Sequence, residues 1–379
     1  MNILINALGI QDSGGLKVLK KVLNECIKND KYIYFIYVNN NVNIKKLSEK
    51  YRKFKELRFE IIEKSSFLYR LYYENFIFRN ILKDKNIDLI YNFSGTAQPF
   101  LKTSQLIKIH NLLFYTKTLD DIYKREGKYI DWLKQVYLKR LVFKLMVQSS
   151  KYFEIQSLHV KEYMSDFINI NKKTFFIKSD IDVRDGEFYL PKKYDFRKKV
   201  KFLYIVGPHF TYRHKNFRDF TNTMLELSSL NIDFEINITL THEQLNQSIL
   251  WDARLNKITN FLGYIDSQKG MDKLFCDNTI LISTSIIETL GLHVIEAIKK
   301  GVVPIVPSKK YSYSVYGENV VTYKLFNTKS LLKAIFSIID GEINYEENIM
   351  MLQNDLKINE NKKYKNIIEI FKEVKNVQK

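Results

Sequence analysis

A chain of 379 residues, 45% of them apolar and 14% aromatic, has the length of two to three domains with real cores, which excludes a disordered protein. Glycine (13) and proline (5) are too scarce for a collagen or a low-complexity linker. The 60 Lys and Arg exceed the 42 Asp and Glu by 18, so an anionic partner is expected, without a choice among nucleic acid, acidic lipid and phosphorylated substrates.

Met1–Leu8 is an apolar run that stops at Gly9, and Gly14-Gly15 opens a helical stretch with Leu16, Leu19, Val22, Leu23, Cys26 and Ile27 on one face. Apolar runs at Lys31–Val38 and Leu57–Ile62 read as strands, and Ser65–Lys85 as a long helix. Strands follow at Ile87–Phe93 and Gln105–Leu112, a helix at Asp131–Ser149, and strands at Tyr152–Ser157 and Thr174–Lys178. Asp180–Lys199 breaks the rhythm: it is charged, carries Gly186 and Pro191, and has little apolar periodicity, so a linker is expected there.

The alternation then restarts. Val200–Val206 reads as a strand, Asn216–Leu230 as a helix, Phe234–Leu240 as a strand and His242–Lys257 as a helix. Strands at Ile258–Tyr264, Thr279–Ser285, Val302–Val306 and Asn319–Tyr323 complete the second set. Leu292–Lys300 is a helix ended by Gly301, and the tail from Glu342 is mostly helical and rich in lysine. Strands alternating with helices imply βαβ units and a parallel sheet. The expected architecture is α/β, with two Rossmann-like halves whose ligands sit outside the carboxyl ends of the strands and whose default site is the cleft between them. The expected domains are 1–190, 191–350 and a C-terminal helix over 351–379 that packs back on the first domain.

Cys26 and Cys276 show no metal-ligand or disulfide spacing and read as buried thiols of a reducing compartment. MNILINALG has no basic n-region, so a signal peptide is not expected. No uncharged apolar run approaches the ~18–20 residues of a membrane span.

The strongest chemical signal is STSIIETLGLHVIE, residues 283–296. A strand ends near Ser285, a carboxylate follows at Glu288, and Gly291 and Leu292 open a helix with Glu296 about one turn inside it. Unpaired amides at a helix start, with the positive end of the dipole, make an anion site. Glu288 and Glu296 are placed to accept hydrogen bonds from hydroxyls of a sugar and of a ribose diol. Two glutamates on a capped, solvated helix are the plain alternative.

This string resembles the E-x7-E signature of retaining glycosyltransferases of family 4, which have the GT-B fold. Ser285, Glu288, Gly291 and Glu296-Ala297 carry the likeness, followed by Gly301-Val302-Val303-Pro304. Thr289-Leu290 and His293 depart from the pattern, and His293 reads as a helix-start residue rather than a ligand. In the family a Gly-Arg pair and a later Lys neutralise the donor diphosphate. Lys215 matches the Lys, but Pro208 follows Gly207, and Arg213 is the nearest substitute guanidinium. Gly14-Gly15 resembles the glycine loop that lets the backbone approach donor phosphates or acceptor. His110, in IKIHNLL, resembles the histidine near the transferred sugar, and EIQSLHVKEY, residues 154–163, the segment where a Ser begins a cleft-lining helix.

The resemblance implies a GT-B hexosyltransferase, with two Rossmann-like domains whose parallel sheets face a central cleft. It implies a nucleotide diphosphate sugar as donor, a glycan or lipid-linked glycan as acceptor, no metal and no cofactor, and a role in surface polysaccharide or lipopolysaccharide synthesis. Glu288, His110 and Lys215 are the implied catalytic residues. Gly14, Gly15, Arg213, Lys215, Ser285, Gly291, Leu292 and Glu296 are the implied donor-binding residues. The expected place is the cytoplasm, peripheral on the inner face of the membrane. A nucleic-acid-binding protein or DNA-base glycosyltransferase, suggested by charge, and a GT-B nucleotide-sugar epimerase are the alternatives; nucleic acid is the less favoured partner because no motif for it is present.

Asp120-Asp121 lies in a polar stretch and reads as no metal pair. Two basic-aromatic stretches remain, 67–80 with Arg70 and Arg79, and 133–151 with Lys134, Lys139, Arg140 and Lys144. Each reads either as an interfacial helix on an anionic membrane surface or as a helix with one core and one solvated face.

Overall fold

The computed structural model describes residues 1–10, 13–63, 66–93, 95–180, 187–195, 197–230, 232–265, 267–361 and 363–377. The chain forms two compact units, 1–182 with 362–379, and 183–361.

The first unit is built on seven strands: β1 (Asn2–Ala7), β2 (Ile33–Asn39), β3 (Leu57–Ile62), β4 (Leu89–Asn92), β5 (Ser104–Ile109), β6 (Tyr152–Ile155) and β7 (Thr174–Ile177). Their order is β3-β2-β1-β4-β5-β6-β7, all parallel. Nearly unbroken apolar runs such as IYFIYV suit strands covered on both faces. Ile3, Ile5, Tyr34, Ile36 and Tyr91 share one core with Leu19, Val22 and Leu23 of the helix Ser13–Cys26.

The tail supplies two helices. Tyr345–Asn361 belongs to the second unit and Ile367–Val377 to the first. Ile367, Ile370, Phe371 and Val374 are buried in the first core, where the Phe371 ring meets Tyr91 edge-on at 5.4 Å. Glu25 Oε2 accepts from the Ile367 amide at 2.7 Å and so caps this last helix. Beneath β5 and β6, Lys108 is buried between Glu154 at 2.7 Å and Asp180 at 2.6 Å.

The helix expected at 131–149 runs through Tyr129–Trp132, a π-helical turn Leu133–Tyr137, and Leu138–Gln148. Arg140 does not belong to an exposed basic face. It is buried, with Nη1 2.8 Å from Asp120 Oδ2 and Nη2 3.0 Å from Asp120 Oδ1. Asp120 sits on the helix Thr118–Arg125 and also accepts from Trp132 Nε1 at 2.8 Å. The pair at 120–121 is thus half structural anchor, which the polar stretch alone does not reveal. In 67–80, Glu74 is likewise buried and accepts from Asn6 Nδ2 at 3.0 Å.

The second unit carries β8 (Val200–Tyr204), β9 (Phe234–Ile238), β10 (Thr259–Phe261), β11 (Thr279–Ile282), β12 (Pro304–Pro307) and β13 (Val321–Tyr323). The order is β10-β9-β8-β11-β12-β13, again all parallel. The helix expected over His242–Lys257 breaks after Asn246, and a 3-10 turn spans Ala253–Ile258. Asp252 accepts from the Arg254 amide at 2.9 Å, an N-cap that starts the new element. Part of the expected linker, 181–186, lies outside the described residues. Its later part runs along the second unit: the Tyr189 amide donates to Lys299 O at 2.8 Å and the Lys192 amide to Gly301 O at 2.9 Å.

Candidate functional site

In both sheets the chain runs outward in opposite directions from a central pair, β1 and β4 in the first and β8 and β11 in the second. Such switch points leave a crevice at the carboxyl ends of the strands. In the second unit that crevice receives the loop after β8, which leads to Lys215, and the loop after β11, residues 283–291.

The first loop is locked from below. Thr239 Oγ1, just past β9, accepts from the Val206 amide at 2.8 Å and donates to Val206 O at 2.9 Å. Gly207 follows, and no atom lies within 4 Å of where its Cβ would stand. A 3-10 turn, Arg213–Lys215, ends at Asn216, which has φ +47°. Asn216 donates to the buried Asp219 carboxylate at 2.6 Å, and the Phe326 amide donates to the same oxygen at 2.8 Å. The left-handed residue is thereby held in place, and with it the direction of Lys215.

The second loop is stitched to the first. Thr284 Oγ1 donates to Lys215 O at 2.8 Å and lies 2.7 Å from the Tyr204 hydroxyl. The Ile286 amide donates to His214 O at 2.8 Å, and the Tyr311 hydroxyl donates to Ser285 O. Lys215 Nζ then stands 2.7 Å from Glu288 Oε1 and 3.4 Å from Ser285 Oγ. Burial pushes the Glu288 carboxyl up, but Lys215, the nearby His293 and hydrogen bonds from Lys215 and Ser285 outweigh it, and the net shift is downward. The carboxylate is ionised at neutral pH.

Gly291 has φ +58°, and the Tyr316 hydroxyl lies 2.1 Å from where a Cβ would be. Only glycine fits both the backbone and the neighbour. The helix Leu292–Lys299 starts there, with its first amides free of intrahelical partners. Glu296 is four residues after Leu292 and shares its face.

Part of this set lines a cavity of about 310 Å³. Tyr204, Val206 and Gly207 line it from the β8 side, and Lys215, Ser283 and Ser285 close the middle. Leu292, His293 and Glu296 form the helix wall. One cation, a helix start and the Glu296 carboxylate thus line one space, and Glu288, outside the wall, is paired with that cation. That set can hold a polyanion at Lys215 and the amides, and hydroxyl groups at the glutamates.

Of the residues expected from the sequence, Lys215, Ser285, Glu288, Gly291, Leu292 and Glu296 come together here. Arg213 is not in the cavity wall. In a 3-10 turn residues two apart point about 240° apart, so a turn that aims Lys215 inward aims Arg213 elsewhere. His293 is the second residue of the helix Leu292–Lys299, as expected, and also lines the cavity, with Nε2 3.0 Å from Ser283 Oγ. Burial, against the pull of Glu288, lowers its pKa to about 4, so the ring is neutral. Ser283 and His293 are absent from the expected site; the Ser-Thr-Ser run at a strand end is the signal for the first.

His110, Gly14 and Gly15 belong to the other unit. His110 follows β5 and is exposed. Gly14 and Gly15 are the second and third residues of the helix Ser13–Cys26, and a Cβ on Gly15 would stand 3.2 Å from Ile10 Cγ2, so a side chain there would press on Ile10. Ser157 precedes the helix Leu158–Ser165 and bonds His159 Nδ1 at 2.7 Å. Among the described residues no group of three or more His, Cys, Asp or Glu is placed to hold a metal ion, and no helix is long and apolar enough to cross a membrane.

No protein-family model and no curated protein sequence matches the chain. Solved structures do. The sucrose-phosphate synthase of Thermosynechococcus elongatus is similar over 100% of both chains, with a TM-score of 0.69 at 12% identity. HepE of Anabaena, solved in complex with UDP and glucose, is similar over 100% of this chain and 99% of its own, with a TM-score of 0.62 at 12% identity. The lipopolysaccharide outer core galactosyltransferase WaaB is similar over 94% and 96%, with a TM-score of 0.60 at 15% identity. The likeness, with the two parallel sheets, shows an α/β chain of the GT-B fold.

Proposed function

We propose that the chain is a glycosyltransferase that moves a hexose from a nucleoside diphosphate sugar to a hydroxyl of a glycan or lipid-linked glycan. The observation that carries this reading is that Lys215, paired with Glu288, lines one cavity at the switch point together with Glu296 and the helix start Leu292-His293. HepE, of the same fold, was solved with UDP-glucose, which supports a nucleotide sugar as donor class.

In this reading the diphosphate lies against Lys215 and the amides of Leu292 and His293, and Gly207 leaves room for it. Glu296 accepts from the ribose diol and Glu288 from hydroxyls of the sugar. The C1–O bond to the diphosphate breaks, the acceptor oxygen bonds to C1 on the same face, and a departing phosphate oxygen takes the acceptor proton. Negative charge grows on the leaving diphosphate, so Lys215 and the helix amides act mainly in the transition state. That no metal ion shares this neutralisation rests on the sequence resemblance. The retaining course, the membership in family 4 and a role for His110, Gly14 and Gly15 rest on the sequence resemblance. Work on surface polysaccharide or lipopolysaccharide at the cytoplasmic side of a membrane belongs to the same proposal.

The test is incubation with a panel of nucleotide sugars and assay of released nucleoside diphosphate. Wild type is expected to turn over one sugar class, and Glu288→Gln, which keeps shape and loses charge, to slow by about 10²–10³. No turnover of any nucleotide sugar, with or without glycan acceptors, overturns the reading.

A further inference from the structure

In the helix Leu138–Gln148 of the first unit, Leu138, Leu141, Val142 and Leu145 recur at i, i+3, i+4 and i+7. That spacing puts them on one face, the stripe a globular helix normally turns to its core. Here it faces water: the four are 49%, 43%, 45% and 68% exposed. The face that packs inward is instead Val136, Arg140, Met146 and Val147. Tyr129, Ile130, Leu133 and Tyr137 continue the exposed apolar surface through the preceding turns.

From Leu133 onward the charges along this segment have one sign; its single carboxylate, Asp131, lies before the stripe. From Leu133 to Lys151 there is no Asp or Glu. Lys134, Lys139 and Lys144 are exposed. Lys134 lies one turn before Leu138, Lys139 one turn before Val142, and Lys144 one turn after Leu141. The helix is not a loose attachment, because Asp120 holds both Arg140 and Trp132. In the other basic-aromatic stretch the described side chains form no such stripe; the exposed rings among them are Tyr72 and Phe76, stacked at 5.5 Å.

An exposed apolar stripe rimmed by cations and lacking anions has the chemistry of a helix lying in the interface of an anionic bilayer. A symmetric dimer through this face would set lysines against lysines, which disfavours a second copy as the occupant. We propose that the helical segment 129–148 docks this chain on an anionic phospholipid surface, with Leu138, Leu141, Val142 and Leu145 at the headgroup–acyl boundary and the three lysines on lipid phosphates. Docking stands on this helix alone; that the acceptor lies in the same leaflet rests on the transferase reading.

The test is flotation of the full chain with phosphatidylcholine vesicles and with vesicles containing phosphatidylglycerol. Wild type is expected to bind the anionic vesicles at least tenfold more strongly, and less so as salt rises. Leu141→Gln with Leu145→Gln is expected to lose at least tenfold while its thermal midpoint stays put, since both residues are exposed. Lys134→Gln, Lys139→Gln and Lys144→Gln together are expected to lose up to about a hundredfold, roughly fivefold per lysine. A charge-matched control, Lys45→Gln, Lys46→Gln and Lys50→Gln on the helix Val42–Tyr51, is expected to bind like wild type. Equal binding to both vesicle types, binding to neither, or an unaffected leucine variant overturns the proposal. So does a wild-type dimer that the leucine variant turns into monomer. Nucleoside diphosphate binding by the same variants is expected to be unchanged, so failure of docking and failure of the donor reading are seen separately.

Discussion

Lys215 and Glu288, 73 positions apart in sequence, meet at 2.7 Å across the two loops that leave β8 and β11. Asp219 holds the first loop under Asn216, Tyr311 holds the second under Ser285, and Thr284 and Ile286 tie the second to the first, so the pair is preorganised rather than drawn together by its own attraction.

Lys215→Ala is expected to weaken nucleoside diphosphate binding, most at low ionic strength, because a cation facing phosphates acts through charge. It also leaves Glu288 without its main counter-ion, and its carboxyl is expected to titrate above its wild-type value. Calorimetric titration at two salt concentrations checks the first expectation. An affinity equal to wild type at low salt would place the anion site elsewhere.

Gly291→Ala is expected to destabilise the second unit. A left-handed alanine costs about 1–2 kcal/mol by itself. The Tyr316 hydroxyl, 2.1 Å from the new Cβ, adds a clash. That hydroxyl is buried with no hydrogen-bond partner among the described residues, so Tyr316→Phe alone is expected to be neutral or stabilising. The double variant is expected to recover part of the loss. Urea unfolding of all four proteins measures the coupling, and strict additivity would contradict the contact.

His293 and His214 are both held neutral by burial, each with a pKa lowered to about 4 from an ordinary 6.5. The unfolded chain therefore binds more protons between these values. Stability tied to each ring is present above pH 6.5 and is lost as the pH falls toward 4. His293→Gln is expected to flatten the acid side of the stability profile, and a profile parallel to wild type from pH 7 to 4 would argue against the buried ring.

Arg140→Ala is expected to cost about 3–5 kcal/mol, the usual loss when one partner of a buried ion pair is removed. Lys139→Ala, one position away and exposed, is expected to change stability by less than about 0.5 kcal/mol. Chemical denaturation of both separates an anchor from a surface charge. Equal and small losses would contradict the burial of Arg140.

The parallel sheets were legible because strands covered on both faces read as continuous apolar runs, and Lys31–Val38 and Phe234–Leu240 fall on β2 and β9. Shorter helices were not. Val42–Tyr51 buries little more than Ile44, Leu47 and Tyr51, too sparse a stripe to stand out. Thr328–Ile339 does carry its signals, Asn327 as cap and Leu331, Leu332, Ile335 and Ile338 as stripe, but a reading led by strands passes over it. At the site, Glu288, Gly291 and Glu296 stand in one string and are visible in order. Which side chains turn inward is not visible. The places of His293 in the cavity wall and of Lys215 beside Glu288 depend on a left-handed Asn216 and on the angle of the helix start, and both are set by tertiary partners such as Asp219 and Tyr316. The pairing of Arg140 with Asp120 hides in the same way, since twenty positions and two helices separate them.

Direct titration with nucleoside diphosphates, nucleoside monophosphates and duplex DNA tests the central claim most directly. Saturable binding of at least one nucleoside diphosphate is expected, weaker for its monophosphate and lowered by Glu296→Gln, which loses the charged acceptor for the ribose diol. A folded protein that binds no nucleotide, or that retains duplex DNA in a salt-dependent manner while nucleoside diphosphates fail to compete, would contradict it.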